Sequence, residues 1–131
     1  MIIAGQAPQK SHVVILGLTF KENCPDTRNS KVDDIIKQLN RFGIEPTVVD
    51  PWASEGDAMN EYGVTLSRIE DVKNADCVIV AVAHNEFKTM DLKDIKRLYR
   101  ECPDEEKVLV DVKGLYKIED LDASGMQWWR L

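Results

Sequence analysis

Two cations, Lys21 and Arg28, fall in the loop between the first apolar run of the chain and a run of helical periodicity. A helix start presents unpaired backbone N–H groups and the positive end of the peptide dipole, so cations beside it can build a phosphate site. Residue types alone leave a second reading open, that of solvated loop charges. One phosphate chemistry is disfavoured outright. A dinucleotide turn needs GxGxxG so that the backbone can approach a pyrophosphate, whereas Gly17 stands alone, about a dozen residues before the helix.

Other reactive types are weighed in the same way. His84 follows the strongest strand, where it could serve a site or cap that strand's carbonyls. Asp50 could imitate the acidic ribose ligand of a dinucleotide fold, but Asp50-Pro51 reads first as a turn former. Cys24, Cys77 and Cys102 are odd in number and widely spaced, which suggests neither a disulfide framework nor a metal cluster. They are read as structural, since a reactive thiolate needs an exposed electropositive setting. Trp52, Trp128 and Trp129 are read as packing or interdomain surface, and Asp104-Glu105-Glu106 as a solvated loop. No catalytic residue and no metal ligand is assigned.

The elements that must position these residues alternate in type. Strands are expected at His12 to Leu18, Glu45 to Val49, Asp76 to Ala83, Lys107 to Asp111 and Gln127 to Leu131. The first run lacks polar alternation, as in a strand covered on both faces of a parallel sheet, and Lys107 to Asp111 reads as another buried strand. A helix is expected to open at Asn29 or Ser30 with a Ser30/Asp33 capping box, and to close at Gly43 in a left-handed cap. Further helices are expected at Ala53 to Tyr62, Ser67 to Asn74 (with a Ser67/Glu70 box) and Leu92 to Arg100, with Val64 to Leu66 as a short strand or extended link. This order implies an α/β fold: a Rossmann-like three-layer sandwich with a mainly parallel sheet, in a single domain. In such sheets ligands bind beyond the carboxyl ends of the strands.

Bulk properties narrow the function classes. With 131 residues, 44% hydrophobic and 31% charged, the chain is sized and composed for one globular core. A net charge of −6 argues against nucleic acid as a partner, which calls for a basic face. No apolar run is long enough to span a membrane, and reduced thiols fit the cytoplasm. Residues 1–11 read as a polar lead-in from a preceding domain or an artificial start, and residues 12–131 as the domain itself.

The run Gly17-Leu18-Thr19-Phe20-Lys21-Glu22-Asn23-Cys24-Pro25-Asp26-Thr27-Arg28-Asn29-Ser30-Lys31 resembles the C-terminal, UDP-binding signature of the UDP-glucose/GDP-mannose dehydrogenase family. Asp50-Pro51, the set Ala81, Ala83, His84 and Phe87, the stretch Asp111-Val112-Lys113-Gly114, and the Trp128 to Leu131 ending resemble its later motifs. The ENCPDTRNSK wording resembles the UDP-N-acetylhexosamine branch.

The resemblance implies a nucleotide-sugar-binding domain of an enzyme that oxidises the sugar C6 alcohol to carboxylate with NAD, in polysaccharide precursor biosynthesis. It implies substrate contacts from Phe20, Lys21 and Lys113, and a contact from Arg28 to an NAD held mainly by an N-terminal domain. Lys113 stands where the family often has arginine, and a lysine cannot make the planar bidentate contact. Partners implied are the UDP-sugar and the N-terminal and central domains of the same enzyme, the whole forming a homodimer or larger. The fragment alone is expected to be inactive. Two other readings are a receiver-like signalling module, which the Asp50-Pro51 context fits poorly, and a purely structural domain of the same dehydrogenase.

Overall fold

In the computed structural model, residues 11–19, 23–24 and 31–130 are described. Five strands, β1 (Val13–Leu16), β2 (Thr47–Val49), β3 (Cys77–Val80), β4 (Val108–Asp111) and β5 (Gln127–Arg130), form one sheet in the order β2-β1-β3-β4-β5. Every pairing is parallel, with Leu16 opposite Val49 on one side and Val80 on the other. The expected mainly parallel sheet is thus wholly parallel among the described strands.

Side-chain alternation along β1 explains the three layers. Val13 and Ile15 face a core built with α1 (Val32–Arg41), Ile44 and Ala58 of α2 (Glu55–Tyr62). Val14 and Leu16 face the opposite core, built with Phe87 of α3 (Asn85–Lys88), Ile95 of α4 (Leu92–Lys96) and Leu121 of α5 (Ile118–Ala123). All four β1 side chains are fully buried, so a continuous apolar run is what this position demands. His12, just before β1, is held at the amino edge by Thr47 Oγ1 at 2.9 Å and the Asn74 carbonyl at 3.1 Å.

Helix ends follow local chemistry. Past Phe42, Gly43 takes φ 77°, its N–H bonds the Asn40 carbonyl at 3.0 Å, and the Ile44 N–H reaches back to Leu39 at 3.0 Å. That is the expected left-handed cap, and the apolar pair Leu39 and Ile44 lies in one core. The start of α1 differs from expectation. Its N-cap is Lys31 without a side-chain cap, and Asp33 and Asp34 in the first turn complement the dipole instead. Ser30 lies outside the described residues. In α4 Asp91 and Asp94 exchange side-chain bonds with each other's N–H groups, at 2.9 and 3.1 Å.

Two expected helices are shorter or absent. Leu92 to Arg100 gives only the short α4, because Leu98 and Arg100 turn to bond Ala75 at 3.0 Å each. Ser67 to Asn74 gives only a 3-10 turn, Ile69–Asp71, without the Ser67/Glu70 box. Leu66 bridges Val48, and the Ser67 N–H bonds the Val48 carbonyl at 2.8 Å. The segment is spent alongside β2 before a helix can start.

Candidate functional site

Strands β2 and β3 flank β1, so the residues that follow them can meet across its carboxyl end. Asp50 follows β2 and His84 lies four residues past β3. Their side chains join at 2.9 Å, Nε2 to Oδ2, with both fully buried. The same Oδ2 accepts the N–H groups of Leu18 at 2.6 Å and Thr19 at 3.0 Å, just after β1. Oδ1 accepts the N–H groups of Trp52 at 2.7 Å and Ala53 at 3.1 Å. The turn role read for Asp50 is therefore carried by one oxygen, while the other holds Leu18 and Thr19, just after β1.

The ring of His84 is committed on both sides. Its Nδ1 accepts the Asn23 N–H at 2.8 Å, so its proton sits on Nε2 and is donated to Asp50. Thr19 Oγ1 lies 3.1 Å from the same nitrogen. Capping strand carbonyls is not what this histidine does. Trp52 stacks on it, ring centroids 6.1 Å apart, and donates its indole N–H to Glu86 at 2.9 Å; Phe87 tilts against the same imidazole at 5.6 Å. Burial pushes the Asp50 carboxyl up, but the bonds from His84, Leu18 and Thr19 outweigh it and hold it below the ordinary carboxylate value.

This pair fills the β1/β3 position, where a 2-1-3-4-5 sheet usually opens its ligand crevice. A receiver-like phosphoacceptor is hard to reconcile with an aspartate 5% exposed and bonded through both oxygens. Beside the pair lies a cavity of about 410 Å³, within the range of small-molecule pockets, between Asp50, Leu66, Arg68, Glu86 and Phe87. Its cation, Arg68, already faces Glu70 at 3.3 Å.

Lys113 sits on the same edge, one strand further on, exposed in the turn after β4. Buried Asp111 fixes that turn by accepting the N–H groups of Leu115 and Tyr116, each at 2.9 Å. Phe20, Lys21 and Arg28 lie outside the described residues, so their contacts with one another or with Lys113 are not described. Among the described residues no group of His, Cys, Asp and Glu side chains is arranged to hold a metal, and no helix is long and apolar enough to cross a membrane.

The remaining candidates take structural places. Burial pushes the Cys77 thiol up to about 12. Asp104 is no free loop charge: Lys96 and Lys107 reach its carboxylate at 2.9 and 3.0 Å and hold it below the ordinary value. The Trp128 indole donates to Asp122 at 3.2 Å, while Trp129 is 44% exposed. What residue reading missed was the Asp50–His84 partnership. Both residues stood in the motifs that carry the resemblance, and both close apolar runs that a doubly wound sheet sets on either side of β1, but nothing local paired them.

A doubly wound parallel α/β domain with polar loops gathered at its carboxyl edge is the class that fold and site define. The chain belongs to the UDP-glucose/GDP-mannose dehydrogenase family, whose UDP binding domain matches residues 14–118. It is 47% identical over 105 residues to a UDP-N-acetyl-D-glucosamine 6-dehydrogenase of Pseudomonas aeruginosa, covering 80% of this chain and 24% of that protein. Another enzyme of that name, from Salmonella typhi, is 37% identical over 125 residues, covering 94% of this chain and 28% of its own. The chain thus spans about a quarter of the length of these relatives. The crystal structure of an NDP-N-acetyl-D-galactosaminuronic acid dehydrogenase from Methanosarcina mazei superposes with a TM-score of 0.78 over 96% of this chain and 25% of its own. At 22% identity that likeness speaks for the fold.

Proposed function

We propose that residues 12–131 are the nucleotide-sugar-binding C-terminal domain of an NAD-dependent UDP-sugar 6-dehydrogenase. Such an enzyme oxidises the sugar C6 alcohol to carboxylate, in this case for polysaccharide precursors in the cytoplasm. The observation that carries this reading is the match of the family's UDP binding domain over residues 14–118. The names of the Pseudomonas and Salmonella relatives support a UDP-N-acetylhexosamine as the sugar.

Phe20, Lys21 and Lys113 are the proposed substrate contacts. The exposed turn at Lys113 supports its share, as a point charge toward a phosphate rather than a planar fork. Arg28 is the proposed contact to NAD. Among the described residues Asp50, the acidic candidate for a ribose contact, has both oxygens spent on internal donors. This supports NAD being held mainly by a separate N-terminal domain, with residues 12–131 gripping the substrate without turning it over. The relatives' extra length supports further domains of the same enzyme as partners, here proposed as N-terminal and central ones, and the whole is proposed to form a homodimer or larger.

Calorimetric titration with UDP tests the reading. Binding is expected, with amide shifts at Lys113, and no NADH should form from UDP-N-acetylglucosamine and NAD+. A flat titration, or shifts confined to the amino edge of the sheet, would overturn it.

A further inference from the structure

Thr19 and Asn23 are tied to one imidazole from its two sides. On one side His84 Nε2 reaches Asp50 Oδ2, which collects the Leu18 and Thr19 N–H groups, and Thr19 Oγ1 is 3.1 Å from that nitrogen. On the other side Nδ1 accepts the N–H of Asn23. Asn23 is attached a second time, its Oδ1 accepting the N–H of Asn85 at 2.9 Å. It adopts φ 55°, a left-handed conformation that asparagine tolerates better than most residues. The ring is 0% exposed, so water does not compete for these bonds.

The proton count admits one arrangement. An N–H donor at Asn23 requires a bare Nδ1, and a carboxylate at Asp50 is served by a proton on Nε2. A buried side chain that touches no ligand can still set where Thr19 and Asn23 stand.

We infer that His84, neutral and protonated on Nε2, is a positioning residue that holds Thr19 and Asn23 ready for a nucleoside diphosphate. The inference rests on the function proposed above. Thr19 and Asn23 held in advance spare the ligand part of the ordering cost of binding, and one lost internal hydrogen bond corresponds to roughly a tenfold loss of affinity.

Two amide replacements separate the halves of the ring. The glutamine of His84→Gln reaches the Nε2 place and keeps the Asp50 bond; the asparagine of His84→Asn reaches the Nδ1 place and keeps the Asn23 bond. Calorimetry with UDP is expected to show roughly tenfold weaker binding for His84→Gln, with affinity closer to the parent for His84→Asn even though that variant melts earlier. Nitrogen NMR of the unaltered chain should show a bare Nδ1, a protonated Nε2 and slow exchange of the Asn23 amide. Parent-like UDP affinity in His84→Gln, a protonated Nδ1, or a fast-exchanging Asn23 amide would each overturn the inference. If the unaltered chain binds no UDP, the nucleotide reading fails by itself, and the ring tautomer and Asn23 exchange still decide whether His84 holds Asn23.

Discussion

Gly17 and Val82 are packed so closely that a methyl group on Gly17 would fall 2.5 Å from the Val82 Cβ and 2.8 Å from its backbone nitrogen. Gly17 also holds φ 109°, outside the range of ordinary residues, so Gly17→Ala meets strain and collision together. A loss of about 3 kcal/mol is expected, read as a shift in urea midpoint. Adding Val82→Ala should not restore stability, because the Cβ and nitrogen of residue 82 stay in place.

Asp50 gives a stability that depends on pH with a definite sign. Its carboxyl lies below the ordinary value of 3.8 in the folded chain, so its contribution is whole above that value and disappears as pH falls through the folded one. Asp50→Asn should cost about 3 kcal/mol near neutral pH, since it turns an acceptor of four backbone N–H groups and an imidazole into a mixed amide. Denaturant midpoints at stepped pH check this. The gap between parent and variant is expected to close only below pH 3.8, and a gap that closes well above it would mean that the carboxylate charge is not what holds the network.

Thiol labelling should separate the cysteines. Cys24 and Cys102 are half-buried, whereas Cys77 is buried in β3 with its thiol pushed up to about 12. A disulfide reagent at neutral pH is expected to titrate two thiols in the folded chain, and the third only in denaturant. Fast reaction of all three would contradict the burial of β3.

Strand positions were legible because burial on both faces writes itself as unbroken apolar runs, as in Val13 to Leu16 and Cys77 to Val80. The end of α1 was legible because one residue, Gly43, carries it. The helices α3 and α5 went unread, since four and six residues are too few to show a period. Ser67 to Asn74 looked helical by its own propensities and lost to a non-local bond from Ser67 to Val48. The Asp50–His84 bond spans 34 positions and exists only because β1 lies between β2 and β3, which local pattern cannot show. The resemblance supplied the family and named Phe20, Lys21, Arg28 and Lys113. It included Asp50 and His84 among its motifs but was silent on their being a buried pair.

The sheet order also has a consequence for how the chain reaches this state. β1 is the first of the five strands to be synthesised, yet both its neighbours come later, at Thr47–Val49 and Cys77–Val80. Until residue 80 has emerged, Val13–Leu16 has one edge with no partner, and its second core face still waits for Ile95 and Leu121. Folding from the amino end is therefore postponed rather than progressive, with loop closure over 64 residues preceding the central pairing, as for Val13 with Cys77. A ribosome stalled before β3 would display a sticky four-residue apolar strand, open to a chaperone.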